Sequence, residues 1–286
     1  MRKFLKYLAI LALTVFLVDT LTLVSFDRLI LQSKVRYTRM QFDEYDIAIL
    51  GNSRGVNSVS EGIFENAYNV DIINLSHNGL NKSEIFHLAG RVRDSTIVFI
   101  ECSSLLMDKG KIELNPGRLN VFSNLRKEKF RLFKSSVFNH EIFLRSLYYL
   151  LGSDANWTND GVMSKEKLNF LTLELDDTPK AQLYYRKEEF HRLYSALALR
   201  GITPVFYVAP IRAEYVRKHK NWNGTLAELE SDFPHFMDLS FSITDIESFA
   251  DLMHTNKKEI DKVHNAIYQE FKALKIKPTN ISAHGF

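Results

Sequence analysis

The sequence predicts an α/β domain, a three-layer α/β/α sandwich around a mainly parallel five-stranded sheet, with a membrane helix ahead of it. Three observations carry that reading. Short runs rich in Ile, Val and Phe recur between residues 46 and 240. They lack polar alternation, which marks strands covered on both faces. Longer amphipathic patterns separate them, and strand–helix alternation of this kind leads to a parallel sheet.

In chain order, "MRKFLKYLAILALTVFLVDTLTLVSF" opens with Arg2, Lys3 and Lys6, runs apolar from Leu8 to Val18, and resumes from Leu21 to Phe26 after Asp19 and Thr20. A bilayer core needs about 20 residues, so the span must include Asp19 to be long enough. A carboxylate costs roughly 2.5–3.5 kcal/mol at the centre of a membrane helix and less near an interface. Residues 1–26 are therefore read as a retained signal anchor. The alternatives are a cleaved signal peptide, although no clear A-x-A site follows, and an ordinary buried helix. The basic residues ahead of the apolar run would hold the short N-terminus in the cytoplasm and send the rest across the inner or plasma membrane.

Residues 27–45 form a charged, amphipathic connector, and residues 46–275 form the domain. Its expected strands are "DIAIL" (46–50), "VDIINL" (70–75), "TIVFIEC" (96–102), "TPVFYVA" (203–209) and "FMDLS" (236–240). Among the helices, "NKSEIFHLAGRV" opens with Asn81 and Glu84 in a capping-box pattern. "AQLYYRKEEFHRLYSALALRG" places Leu183, Tyr184, Phe190, Leu193, Tyr194 and Leu197 at helical spacing and stops at Gly201. "NKKEIDKVHNAIYQEFKAL" is a final amphipathic helix, followed by a tail over 276–286. Residues 103–180 interrupt the rhythm as one long basic and aromatic insertion. At that place it would lie over the carboxyl ends of the strands, where open α/β sheets bind ligands.

Composition narrows the function classes. Of 286 residues, 45% are apolar and 25% charged, the profile of a globular protein with a real core. A net charge of +3 is too slight to point to nucleic acid, and no aromatic–basic platform is present. The lone Cys102 excludes an intramolecular disulfide and lies in the apolar run "TIVFIECSS", as a buried thiol would. His77, His87, His191 and His264 lack metal-ligand spacing with carboxylates or Cys102, so no metal and no cofactor is expected. The cluster Arg126, Lys127, Lys129, Arg131 and Lys134 is either a solvated face or a surface for an anionic glycan or lipid headgroups.

Two short stretches could carry chemistry. In "DIAILGNSRG" Ser53 follows a strand-ending glycine, where Gly51 permits a sharp turn into a helix. A helix amino terminus offers backbone N–H groups to an anion, which a nucleophilic serine needs for a developing oxyanion. Read alone, the stretch favours the same serine as a helix cap, a very common device. The stretch lacks the lysine of a phosphate-binding loop. In "SFADLMHTNKKEID", Asp251 precedes His254 by three residues, so both can share one face of a turn, the carboxylate holding one imidazole nitrogen. Arg54, next to Ser53, is open to two readings: substrate carboxylate or carbonyl binding, or an internal salt bridge.

Taken together, "GNSR" (Gly51 to Arg54), "NLSHNG" ending in Gly79, and "DLMH" (Asp251 to His254) resemble the blocks of the SGNH (GDSL-like) hydrolase superfamily, in order and in strand context. The resemblance covers residues 46–275 and is most specific for the membrane-anchored bacterial branch linked to acylation or deacylation of cell-surface polysaccharides. It implies the flavodoxin-like fold of that superfamily. It also implies that Ser53 attacks an acyl carbonyl, His254 acts as general base and then acid, and Asp251 orients His254. The N–H groups of Ser53 and Gly79 would form the oxyanion hole. The family's third block places an asparagine after the third strand, where this chain reads "ECSSLL". Ser103 or Ser104 would have to substitute, or Asn78 reach in, because losing one such donor typically costs about 2.7–4 kcal/mol of transition-state stabilisation.

The expected function is thus an exported, membrane-tethered serine esterase or O-acyltransferase acting on an acylated glycan, alongside membrane proteins of polysaccharide biosynthesis. The competing expectations are a catalytically idle glycan-binding or scaffold module, and an intracellular lipase-like hydrolase whose N-terminus packs as a helix.

Overall fold

The computed structural model describes residues 3–14, 39–40, 42–76, 80, 82–107 and 181–276. Five strands, β1 (Ile47–Leu50), β2 (Ile72–Asn74), β3 (Ile97–Glu101), β4 (Thr203–Val208) and β5 (Phe236–Asp238), form one sheet. Every neighbouring pair is parallel, and the order is β2-β1-β3-β4-β5. Ile47 of β1 lies opposite Ile72 on one side and Ile97 on the other. In this order the crossovers diverge between β1 and β3, and the crevice at the carboxyl ends of those two strands is where such sheets bind ligands.

Eight α-helices among the described residues follow these strands: α1 (Ser53–Ser58), α2 (Glu61–Tyr68), α3 (Lys82–Ala89), α4 (Ser103–Met107), α5 (Lys187–Ala198), α6 (Ala213–Val216), α7 (Trp222–Asp232) and α8 (Ile260–Ile276). Strand side chains alternate between faces, and both faces are apolar. Ile47, Ile49, Ile97, Phe99 and Val205 pack with Phe64 of α2 and Val263, Ile267 and Phe271 of α8. Ala48, Leu50, Val98, Ile100 and Phe206 pack with Ile85 of α3, Phe190 and Leu193 of α5, and Leu229 of α7. Each fully buried Val, Ile or Phe contributes about 1.5–3 kcal/mol, which is why the central strands read as unbroken apolar runs. Cys102 is among the buried residues, its thiol against the Tyr207 carbonyl and pushed up in pKa by burial.

Pro204 sits inside β4 without breaking the sheet. The Thr203 N–H bonds to Thr96 on the β3 side, so the position without an N–H at 204 faces β5, whose pairing begins only at Phe206. The long helix expected from Ala181 starts at Lys187 instead. The backbone before it is claimed elsewhere: Ala181 donates to Lys218, Leu183 to the Asn221 side chain, and Tyr184 to Leu106. Its end is as expected, with Gly201 at φ 71° and Ile202 N–H returning to Leu197. The first residues of the expected 103–180 insertion, Ser103–Met107, form α4 with Leu105 and Leu106 in the core, while its remainder with the basic cluster, the capping residue Asn81 and the tail beyond 276 lie outside the described residues.

At the N-terminus, residues 3–14 are helical with Phe4, Leu8 and Leu11 exposed, and no described helix is long and apolar enough to cross a membrane. The rest of the expected anchor lies outside the described residues. The end of the connector docks on the domain. Arg39 pairs with Glu61 and Glu65 of α2 and donates to the Ile72 carbonyl.

One buried titratable group makes this fold pH-sensitive. His264 of α8 accepts the Ser60 N–H through Nε2 at 3.1 Å and stands edge-on to Phe64. Burial lowers its pKa to about 4, against 6.5 in an open chain, with Asp261 partly opposing. Between those values the unfolded chain takes up a proton that the folded one refuses, so stability falls as pH falls. The stabilisation is full above pH 6.5 and lost on the way to pH 4, in total about 3 kcal/mol at 1.36 kcal/mol per unit. Denaturant midpoints of the wild type should therefore drop between pH 7 and 4.5 by more than those of His264→Gln. Equal drops would contradict this role.

Candidate active site

Leu50 ends β1, and the chain turns through Gly51 and Asn52 into α1. Asn52 is the cap: its side-chain oxygen accepts the Arg54 N–H at 3.0 Å. Ser53 is therefore the first residue of the helix, and its hydroxyl is not needed for capping. As a first-turn residue it also has an N–H with no acceptor inside the helix. Gly51 is required for a different reason than backbone freedom. Its φ is not positive, but a Cβ there would lie 2.8 Å from Cβ of Glu101. At Gly55, one turn on, a Cβ would meet Ser76 Oγ at 2.4 Å. The two glycines let α1 press against the ends of β3 and β2.

Ser53 Oγ lies 2.8 Å from His254 Nε2. His254 Nδ1 in turn lies 2.8 Å from Asp251 Oδ2 and 3.0 Å from Oδ1. A carboxylate only accepts, so Nδ1 carries the proton and Nε2 presents its lone pair to the serine hydroxyl. The structure thus brings Ser53, His254 and Asp251 together across 201 residues of chain. The imidazole is mostly covered, at 15% side-chain exposure, whereas the Asp251 side chain is 47% exposed.

A tight loop sets the pair. Ala250 N–H donates to the His254 carbonyl at 2.8 Å, and Phe249 bridges Thr255 in antiparallel fashion. Asp251 Oδ1 also accepts the Met253 and His254 N–H groups, at 2.7 and 2.9 Å. Burial by itself would raise the Asp251 carboxyl, but the bond from His254 and these N–H groups hold it below the usual carboxylate range. Two further contacts moor the loop: Thr255 Oγ1 donates to the Asn57 carbonyl of α1 at 3.3 Å, and Arg212 N–H donates to the Leu252 carbonyl at 3.3 Å.

The other expected residues fare differently. Gly79 and Asn78 lie outside the described residues. Arg54 does not face a substrate: it is 2% exposed and turned under the sheet ends, so the internal reading holds. It donates to Ser103 Oγ at 2.7 Å, to the Ala209 carbonyl, and to the Pro210 carbonyl at 3.1 Å, with Nε 3.9 Å from Glu101. Ser103 is corrected as an oxyanion donor. It is fully buried, and its hydroxyl donates to Glu101 Oε1 at 2.5 Å while accepting from Arg54. Ser104 Oγ is buried without a hydrogen-bond partner among the described residues.

Sequence reasoning missed two supports. Glu101 ends the buried β3 at 0% exposure, and a charge closing an apolar run was the available signal. Asn74 ends β2 and donates to the Gly55 and Val59 carbonyls at 3.2 and 2.9 Å, answering the open end of α1. Among the described residues no group of three or more His, Cys, Asp or Glu could hold a metal ion.

Replacing Asp251 with alanine should loosen this loop as well as free the imidazole. Each lost bond is worth about 0.5–1.5 kcal/mol, so amide exchange at Met253 and His254 should quicken roughly tenfold, with little change in the sheet. Unchanged exchange at both amides would contradict the turn assigned to Asp251. In comparisons with known proteins, no family model matches the chain and no curated sequence matches it.

Proposed function

We propose that this chain is a serine esterase or O-acyltransferase of the SGNH type, acting on acyl esters, foremost acetyl esters, of a bacterial cell-surface or extracellular polysaccharide. The observation that carries the reading is the connected chain from Ser53 through His254 to Asp251, with Ser53 Oγ and His254 Nε2 2.8 Å apart. Its place supports the same reading, since Ser53 opens the helix that follows the carboxyl end of β1, the side on which open α/β sheets bind ligands, and His254 meets it there. The parallel sheet in the order 2-1-3-4-5 is compatible with a flavodoxin-like SGNH domain.

In this reading Ser53 Oγ bonds to the acyl carbonyl carbon while its proton passes to His254 Nε2. Asp251 holds the resulting imidazolium, and the negative charge on the carbonyl oxygen meets the N–H of Ser53. The tetrahedral adduct then expels the sugar alkoxide, which takes the proton from His254 Nε2 and leaves an acyl-serine. Water, or a second sugar hydroxyl, attacks that ester with His254 again taking the proton, and Ser53 is released with its hydrogen restored. Hydrolysis and transfer differ only in this second acceptor.

The basic residues ahead of the apolar N-terminal run support placing the domain outside the cytoplasmic membrane, beside the membrane proteins that assemble the glycan. The second reading, an idle glycan-binding or scaffold module, draws on Ser103, whose hydroxyl is taken by Glu101 and Arg54. It leaves the three-residue chain from serine to carboxylate without a purpose.

The test is turnover of an activated acetyl ester by the full-length protein in detergent, with and without an acceptor glycan. Ser53→Ala and His254→Ala should each lower kcat by at least ~10³-fold with little change in KM. Accelerated ester loss and acetylated glycan with the acceptor present would assign transfer. Wild type and Ser53→Ala turning over at one background rate would assign the idle module.

A further inference from the structure

Beneath Ser53 lies a buried polar set that the proposed chemistry does not use. Arg54 and Glu101 are 2% and 0% exposed, and Ser103 is fully buried between them. Buried ion pairs contribute little to stability, because desolvation offsets their attraction. Such a pair retained under a reactive group calls for a positional explanation.

The hydrogen bonds supply one. Arg54 is the second residue of α1, so its backbone moves with Ser53. Its guanidinium reaches the start of α4, just past β3, through Ser103 Oγ at 2.7 Å. The same group reaches the end of β4 through the Ala209 and Pro210 carbonyls. Glu101 Oε1 completes the frame by accepting the Ser103 hydroxyl at 2.5 Å, the Ser103 N–H at 3.3 Å and the Ala209 N–H at 3.4 Å. The segment leaving β4 continues to Arg212, whose N–H holds the Leu252 carbonyl inside the Asp251–His254 loop. Nucleophile and base are thus hung from the same strand ends, and one guanidinium fork joins the two suspensions. A planar fork of fixed donors suits three acceptors spread beyond the ends of two strands better than the single compact ammonium of a lysine.

We propose that Arg54, held by Ser103 and Glu101, is a positioning residue for the Ser53–His254 contact. The proposal rests on the hydrolase or transferase reading of Ser53. Arg54 touches no substrate and acts through the placement of Ser53.

The test compares the full-length protein in detergent with Arg54→Lys, Ser103→Ala and Ser53→Ala, using a fluorophosphonate probe that phosphonylates an activated serine by expelling fluoride. The readouts are the rate constant of labelling per folded molecule, the Tm, and kcat and KM on an activated acetyl ester. Lysine keeps the charge but loses the fork, so labelling and kcat should both fall about 100-fold, the scale of an ångström-sized misplacement, with KM unchanged. Ser103→Ala, a smaller change, should fold and show a loss in the same direction. Folded Arg54→Lys and Ser103→Ala labelled at the wild-type rate would overturn the positioning role while leaving the hydrolase reading intact. If Arg54→Lys does not fold, Ser103→Ala alone decides. A wild type labelled no faster than Ser53→Ala would overturn both.

Discussion

The arrangement of the site depends on one guanidinium buried at the carboxyl end of the sheet. Arg54 satisfies a hydroxyl on the β3 side and two carbonyls on the β4 side, and its backbone belongs to the helix that begins with Ser53. An arginine in such a place is costly unless every donor finds a partner, and partial satisfaction is worse than an apolar filling. Here the fork has partners, while Nε remains 3.9 Å from Glu101 without a hydrogen bond. The network ties together chain segments that are distant in sequence and near one another only at the strand ends.

Close approach makes this possible. Glycines at 51 and 55 remove the side chains that would strike Glu101 and Ser76, so α1 settles against the sheet. A second polar line then supports it from the other side. Asn74 answers the carbonyls of Gly55 and Val59, Glu61 accepts the Asn74 N–H at 2.6 Å, and Arg39 pairs with Glu61. The connector is thereby in contact, through three residues, with the helix that carries Ser53. The catalytic geometry under this reading is a property of strand ends and small residues, and the apolar core supplies only the rigid platform.

Much of this was legible in the amino-acid sequence, for identifiable reasons. Apolar runs marked the strands, most plainly β1, β3 and β4, because a strand covered on both faces cannot carry polar alternation, whereas β5 reads Phe-Met-Asp and is only partly covered. Ser53, Asp251 and His254 could be named because a turn after a strand and a three-residue spacing are local facts. The role of Asn52 as the cap was not legible, since adjacent Asn52 and Ser53 both suit that position. Arg54 and Ser103 carried open readings, because the sequence does not say which way a side chain turns at a helix start. Glu101 was overlooked although it closes a buried strand, and its partner lies 47 residues earlier in the chain (101 against 54). The helix start at Lys187 was misread because the backbone partners of residues 181–184 belong to Lys218, Asn221 and Leu106, contacts that only the folded chain creates.

The central claim, that the fold makes Ser53 a nucleophile, is tested most directly by trapping the acyl group. The protein would be quenched in acid during turnover of an activated acetyl ester, digested, and mapped by mass spectrometry. The account predicts acetyl on the peptide containing Ser53 and its absence from that peptide in His254→Ala. Acetyl found only on lysines or on other serines, equally in both proteins, would contradict it.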